Sequence, residues 1–89
     1  MIPDISIIVT NYNYGKYLPR CLRSCLNQRD VKFEVIVVDD CSSDNTFKVI
    51  EPYMDNITLV KNKNNLGIGG SSNVGLKYAK GQFVVRVDA

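Results

Sequence analysis

The chain has 89 residues, 45% apolar and 22% charged, with 11 basic and 9 acidic side chains for a net charge of +2. That is an ordinary soluble globular make-up, and so small a charge gives no electrostatic ground for a nucleic-acid partner. No run approaches the roughly 20 apolar residues of a membrane span, and no basic segment followed by an apolar one opens the chain.

Ile5-Ser6-Ile7-Ile8-Val9-Thr10 reads as a first strand, β-branched and nearly continuous. It runs into a polar, aromatic loop, Asn11-Tyr12-Asn13-Tyr14-Gly15. Leu18, Cys21, Leu22, Cys25 and Leu26 then recur at helical spacing, with Pro19 in the first turn, where a missing N–H costs nothing. Lys16, Arg20 and Arg23 share another face and read as a solvated one, with contact to phosphates or acidic lipid heads as the alternative.

Val35-Ile36-Val37-Val38 is an unbroken apolar run, the pattern of a strand buried on both faces. It stops at two adjacent carboxylates, Asp39 and Asp40, followed by turn formers and an N-cap candidate in Cys41-Ser42-Ser43-Asp44. A second helix is expected over about residues 44–51, ended or bent by Pro52. Residues 57–60 make a third short strand. Residues 66–72 form a glycine-rich loop leading into a helix that runs to roughly Lys80, with Gly81 as its C-cap. Gly75, Ala79 and Ser72 lie near one face of that helix and would let it approach the sheet closely. Residues 83–87 are the fourth strand, and Asp88 is expected to be loosely held, with only Ala89 after it.

Strands alternating with helices predict an α/β fold, a Rossmann-like, mostly parallel open sheet with right-handed crossovers and helices on both faces. The polar strand ends then converge. In the order 3-2-1-4 a ligand lies at the switch point, across Thr10, Asp40 and Asp88.

The three cysteines and absent histidines exclude an ordinary zinc site, and Cys21 and Cys25 read as small buried thiols. Nucleotide motifs fail on inspection. Gly67-x-Gly69-x-x-Ser72 lacks its third glycine and follows the wrong strand, and Gly70-x4-Gly75 is followed by Leu76 where a P-loop needs lysine. A response-regulator receiver carries its acidic pair after the first strand, whereas here it follows the second.

One ordered set fits throughout: Ser6-Ile7-Ile8-Val9-Thr10-Asn11-Tyr12-Asn13, then Tyr17-Leu18-x-x-Cys21-Leu22-x-Ser24-x-Leu26-x-Gln28, then Glu34-Val35-Ile36-Val37-Val38-Asp39-Asp40-x-Ser42-x-Asp44-x-Thr46. Asn65-x-Gly67, Asn73-x-Gly75 and Ala79-x-Gly81-x-Phe83 continue it. With these stretches the chain resembles the N-terminal, nucleotide-binding half of the family 2 inverting glycosyltransferases of the GT-A fold. It departs at Ser72, where that family often has arginine.

The resemblance implies transfer of a sugar from a nucleotide diphosphate, UDP favoured, to an acceptor hydroxyl. It implies nucleotide contacts from Thr10, Tyr12, Asn13, Asp39, Asp40 and Asn73, with Asp40 receiving the uracil ring N–H. Asp88 matches the first acid of an Asp-x-Asp motif, which would hold Mg²⁺ or Mn²⁺ on the diphosphate. The second acid, the catalytic base and the acceptor region would fall beyond residue 89. Residues 1–89 are therefore expected to be the donor-binding part of one larger domain, with no catalytic residue among them and little metal dependence. The acceptor would be a saccharide or a lipid-linked or protein-linked one. Met1 runs almost directly into the first strand, so a cytoplasmic setting, with at most peripheral membrane contact, is expected. Two other readings stand beside this one: a free-standing nucleotide-binding or interaction module without catalysis, and a sugar nucleotidyltransferase. The latter would need an arginine-containing glycine loop directly after the first strand, and residues 11–15 are unlike that.

Overall fold

In a computed structural model of the chain, described over residues 2–89, four strands form one all-parallel sheet. They are β1 (Ile5–Asn11), β2 (Phe33–Asp39), β3 (Thr58–Lys61) and β4 (Phe83–Asp88), in the order β3-β2-β1-β4. Three helices connect them: α1 (Leu18–Leu26), α2 (Thr46–Val49) and α3 (Gly67–Tyr78). The register aligns Asn11 with Asp39 and Thr10 with Asp88, so the polar ends of β1, β2 and β4 lie side by side.

The pleat sends alternate side chains to opposite faces, and each face meets its own helices. Ile7, Val9, Val35 and Val37 pack with Leu18, Leu22 and Cys25 of α1 and with Ile50. Ile8, Ile36 and Val38 meet Val74 and Ala79 on the α3 side. Burying each such large aliphatic side chain stabilises by about 1.5–3 kcal/mol. Burial also raises the pKa of both helix thiols: desolvation, with Cys21 beside it, pushes Cys25 up to about 11. At neutral pH these are packing groups.

Several boundaries differ from the sequence expectation. The second helix is only Thr46–Val49. A 3-10 turn over Glu51–Asn56, with Pro52 near its start, follows where the helix was expected to end or bend. The third strand starts at Thr58, not Ile57. The glycine-rich segment is not a loop before the helix but its first turns, since α3 already begins at Gly67. Of its glycines only Gly67 has a positive φ, 76°. Gly81 is not a C-cap either: α3 ends at Tyr78 with Ala79 extended. A Cβ at Gly81 would stand 2.6 Å from the Ser6 amide nitrogen, so glycine is required there by close passage over β1. Gly75 behaves as expected, with Ile8 Cγ2 2.5 Å from where its Cβ would be. Among the described residues no helix is long and apolar enough to cross a membrane.

Candidate functional site

The two acids at the end of β2 are split by the pleat. Asp39 points to the α2 side and is fully buried. Its carboxylate accepts from Asn11 Nδ2 (2.9 Å), the Ser42 amide (2.9 Å) and the Ser42 hydroxyl (2.7 Å). Around it the turn 41–46 and the loop after β1 are laced together. Asn13 Oδ1 accepts from the Ser43 amide at 2.7 Å, and its own amide donates to Ser42 Oγ at 2.9 Å. Asp44 accepts from the Gly15 amide (2.9 Å), the Thr46 amide (3.0 Å) and the Thr46 hydroxyl. The motif residues Ser42, Asp44 and Thr46 are thus the frame that holds the loop carrying Tyr12 and Tyr14. Asp44 caps from just outside α2, two residues before Thr46, and not as its N-cap residue.

Asp40 points to the other face and is 4% exposed. Its Oδ1 accepts from the Leu66 amide at 2.7 Å and Asn62 Nδ2 at 3.0 Å, and its Oδ2 from the Gly67 amide at 2.9 Å. A carboxylate from β2 therefore caps α3, whose own N-cap residue, Leu66, offers no side-chain bond. Burial works against ionisation of Asp40, but the donors from Leu66, Asn62, Gly67 and Ser71 outweigh it and hold the carboxyl below the usual carboxylate range. Cys41, immediately after it, takes a left-handed φ of 66° that turns the chain sharply out of the strand.

Between these ends lies a small cleft of about 80 Å³, whose walls include Thr10, Tyr12, Tyr14, Asp40, Ser71 and Asp88. Thr10 Oγ1 donates to Asp88 Oδ1 at 2.7 Å, and the Ala89 amide continues the ladder to the Thr10 carbonyl at 3.0 Å. Asp88 is accordingly a fixed residue of β4 and not the loosely held end expected from its position. Tyr12 and Tyr14 are about half exposed and offer aromatic surface at the rim.

The structure brings together Thr10, Tyr12, Asp40 and Asp88. It does not bring in the other three predicted nucleotide contacts. Asp39 is spent inside the turn, Asn13 braces that same turn, and Asn73 lies on the exposed face of α3. Residues not anticipated are Tyr14, Asn62, Ser71 and Asn11. Asn11 is 2% exposed; its Nδ2 is turned to Asp39, Ser42 and Thr46, and its buried Oδ1 has no hydrogen-bond partner among the described residues. Its signal was its place at a strand end, obscured because polar loop residues are common there. No group of three acids, cysteines or histidines that could hold a metal occurs among the described residues. A larger open groove of about 630 Å³ lies on the opposite, α1 side, walled mainly by apolar residues of β1, β4 and α1.

Comparison with known proteins places this arrangement. The family model described as Glycosyl transferase family 2 matches residues 6–89. The poly(ribitol-phosphate) β-N-acetylglucosaminyltransferase TarS of Staphylococcus aureus is 43% identical over 89 residues, 94% of this chain and 16% of TarS. Chondroitin synthase of Pasteurella multocida is 39% identical, over 99% of this chain and 9% of its own length. The structure of TarS 1–349 in complex with UDP superposes with a TM-score of 0.87 at 42% identity, covering 96% of this chain and 27% of that one. The mannosyltransferase PcManGT of Pyrobaculum calidifontis, in complex with GDP-Man and Mn²⁺, gives 0.88 at 28% identity, covering 99% and 28%. This chain thus spans only a small part of the length of the relatives it matches. With the parallel sheet in the order 3-2-1-4, the acids at its carboxyl edge and a family match over nearly the whole sequence, the chain belongs to glycosyl transferase family 2.

Proposed function

We propose that the chain is the donor-binding part of a glycosyltransferase that moves a sugar from UDP to an acceptor hydroxyl with inversion. The observation that carries this is the ionised Asp40 carboxylate, fixed in a cleft beside Thr10 and the two tyrosines, with Asp88 at the other side. A carboxylate accepts but does not donate, so it selects bases that present a ring N–H: uracil, thymine and guanine qualify, and cytosine does not. Oδ2 accepts from the Gly67 amide, and a carboxylate oxygen carries a second lone pair. The complexes of relatives with UDP and with GDP-Man contain two such bases, and the more similar relative is the one with UDP. Tyr12 and Tyr14 suit stacking or packing on the base.

Thr10 engages only Oδ1 of Asp88, leaving a hard oxygen that fits one site of Mg²⁺ or Mn²⁺, ions that bind through one or two carboxylates plus substrate phosphates. Such an ion neutralises the departing diphosphate. The second acid of the Asp-x-Asp motif, the catalytic base and the acceptor site are assigned to the remainder of the domain. The acceptor is a saccharide, free or linked to lipid or protein, in surface polysaccharide or related assembly at the cytoplasmic side of a membrane. That the relatives are named transferases and synthases weighs against a non-catalytic module.

Titration calorimetry tests the base assignment. UDP is expected to bind at about 0.1–1 mM, which is about −4 to −5.5 kcal/mol. CDP is expected to bind at least about tenfold more weakly, and Asp40→Ala to lose about 1.5–3 kcal/mol of UDP affinity. Equal affinity for UDP and CDP would remove Asp40 from the role.

A further inference from the structure

Building on the donor-binding reading, we propose that Arg86 binds the diphosphate of the nucleotide and supplies its metal-independent affinity. Arg86 lies on β4 opposite Ile8, two residues before Asp88, so the pleat sends it to the α3 face with Asp40, Thr10 and Asp88. The four strands carry two basic residues, Lys61 and Arg86. Lys61 is on the other face, its ammonium 4.2 Å from the centre of the Phe47 ring. Arg86 is therefore the one cation that the sheet projects toward the cleft side.

Its present engagement is slight. Arg86 Nη1 donates to Ser72 Oγ at 3.4 Å, long for a hydrogen bond, and the residue is exposed. Among the described residues the guanidinium is bonded to no carboxylate, although Asp88 is nearby in sequence. The Asp88 Oδ1 oxygen is held by Thr10 instead. A guanidinium with most of its five N–H groups uncommitted, in a planar fork, matches two oxygens of a phosphate.

The path of the ligand brings the phosphates to it. With the base at Asp40 on β2, the diphosphate runs across β1 toward Asp88 on β4, past two carboxylates that repel it. Two residues along a strand is about 6.6 Å, a distance the arginine side chain spans. At the start of α3, Gly67 and Gly69 leave open space: a Cβ at either would meet nothing within 4 Å. Releasing one long bond to Ser72 frees the guanidinium to follow the phosphates.

The test compares uridine with UDP in EDTA, by calorimetry or ligand-observed NMR, on the 89-residue chain and on Arg86→Gln and Arg86→Lys. The wild type should bind UDP about 5- to 20-fold more tightly than uridine, with the advantage shrinking in salt. Arg86→Gln should lose that advantage and keep uridine affinity, while Arg86→Lys should keep part of it. Thermal melts should match, since the side chain is exposed. An unchanged UDP-to-uridine ratio in Arg86→Gln overturns the proposal, as does equal binding of the two ligands by the wild type. Binding of neither ligand would instead overturn the donor-site reading on which it rests.

Discussion

Adjacent carboxylates at a strand end need separate sets of donors, and the pleat supplies them. Asp39 is satisfied by Asn11 and Ser42 on one face, and Asp40 by Leu66, Gly67 and Asn62 on the other. Their substitutions should therefore fail differently. Asp39→Ala leaves the Ser42 amide without its acceptor and removes the shortest of the three bonds made by the buried Asn11 amide. It should cost about 2–3 kcal/mol in urea unfolding while leaving the UDP affinity of the folded fraction unchanged. Asp40→Ala should affect both measurements, because the same carboxylate caps α3 and faces the cleft. Asn73→Ala, on an exposed helix face, should move stability by no more than about 0.5 kcal/mol.

Among the elements, α3 is the one whose position depends most on missing atoms. Its glycines have unlike reasons, and alanine separates them. At Gly75 an added methyl meets Ile8 of β1, whose side chain is itself buried, so Gly75→Ala should overpack the interface and cost about 1–3 kcal/mol. At Gly69 the backbone is helical and the space is open, so Gly69→Ala should stabilise by about 0.4–1 kcal/mol. Chemical denaturation of the two variants side by side checks both signs. After the four residues of α2 the chain continues as a 3-10 turn with Pro52 near its start, in keeping with the expected end or bend there.

For the molecule as a whole, the radius of gyration is 12.1 Å, in line with the roughly 12 Å of a folded chain of this length. Its parts are joined through carboxylates. Asp40 ties β2 to α3, and Asp44 ties the loop after β1 to the turn after β2. For both, burial opposes ionisation, but hydrogen bonds prevail and hold the carboxyl below its ordinary value. A depressed folded-state value means that the stabilisation is complete above the unfolded value of about 3.9 and is lost as pH falls through the folded one. The chain has no histidine to titrate nearer neutrality. The melting temperature should thus be nearly level from about pH 7 to pH 5 and fall steeply below about pH 4. Asp40→Ala should show a shallower acid limb in a pH series of thermal melts.

Local chemistry determined the architecture. Continuous β-branched runs, one clean apolar helical stripe and polar punctuation are written within stretches of a few residues. Alternation of strand and helix then leaves the parallel 3-2-1-4 sheet as the expected outcome. It also placed Thr10, Tyr12, Asp40 and Asp88 near one another, because parallel strands bring their carboxyl ends to the same edge. What only the tertiary structure decided is how each of these groups is held. Asp40 takes its amide donors from residues 26 and 27 positions away, and Asp88 takes its hydroxyl from one 78 away. No local pattern encodes such pairings. For the same reason the turn-bracing bonds of Asn13 and Asp39 could not be read from the sequence, and Gly81, which reads as a helix cap, is the gap through which the chain passes over β1. Propensity acts between neighbours in sequence, whereas hydrogen-bond satisfaction and close approach act between neighbours in space.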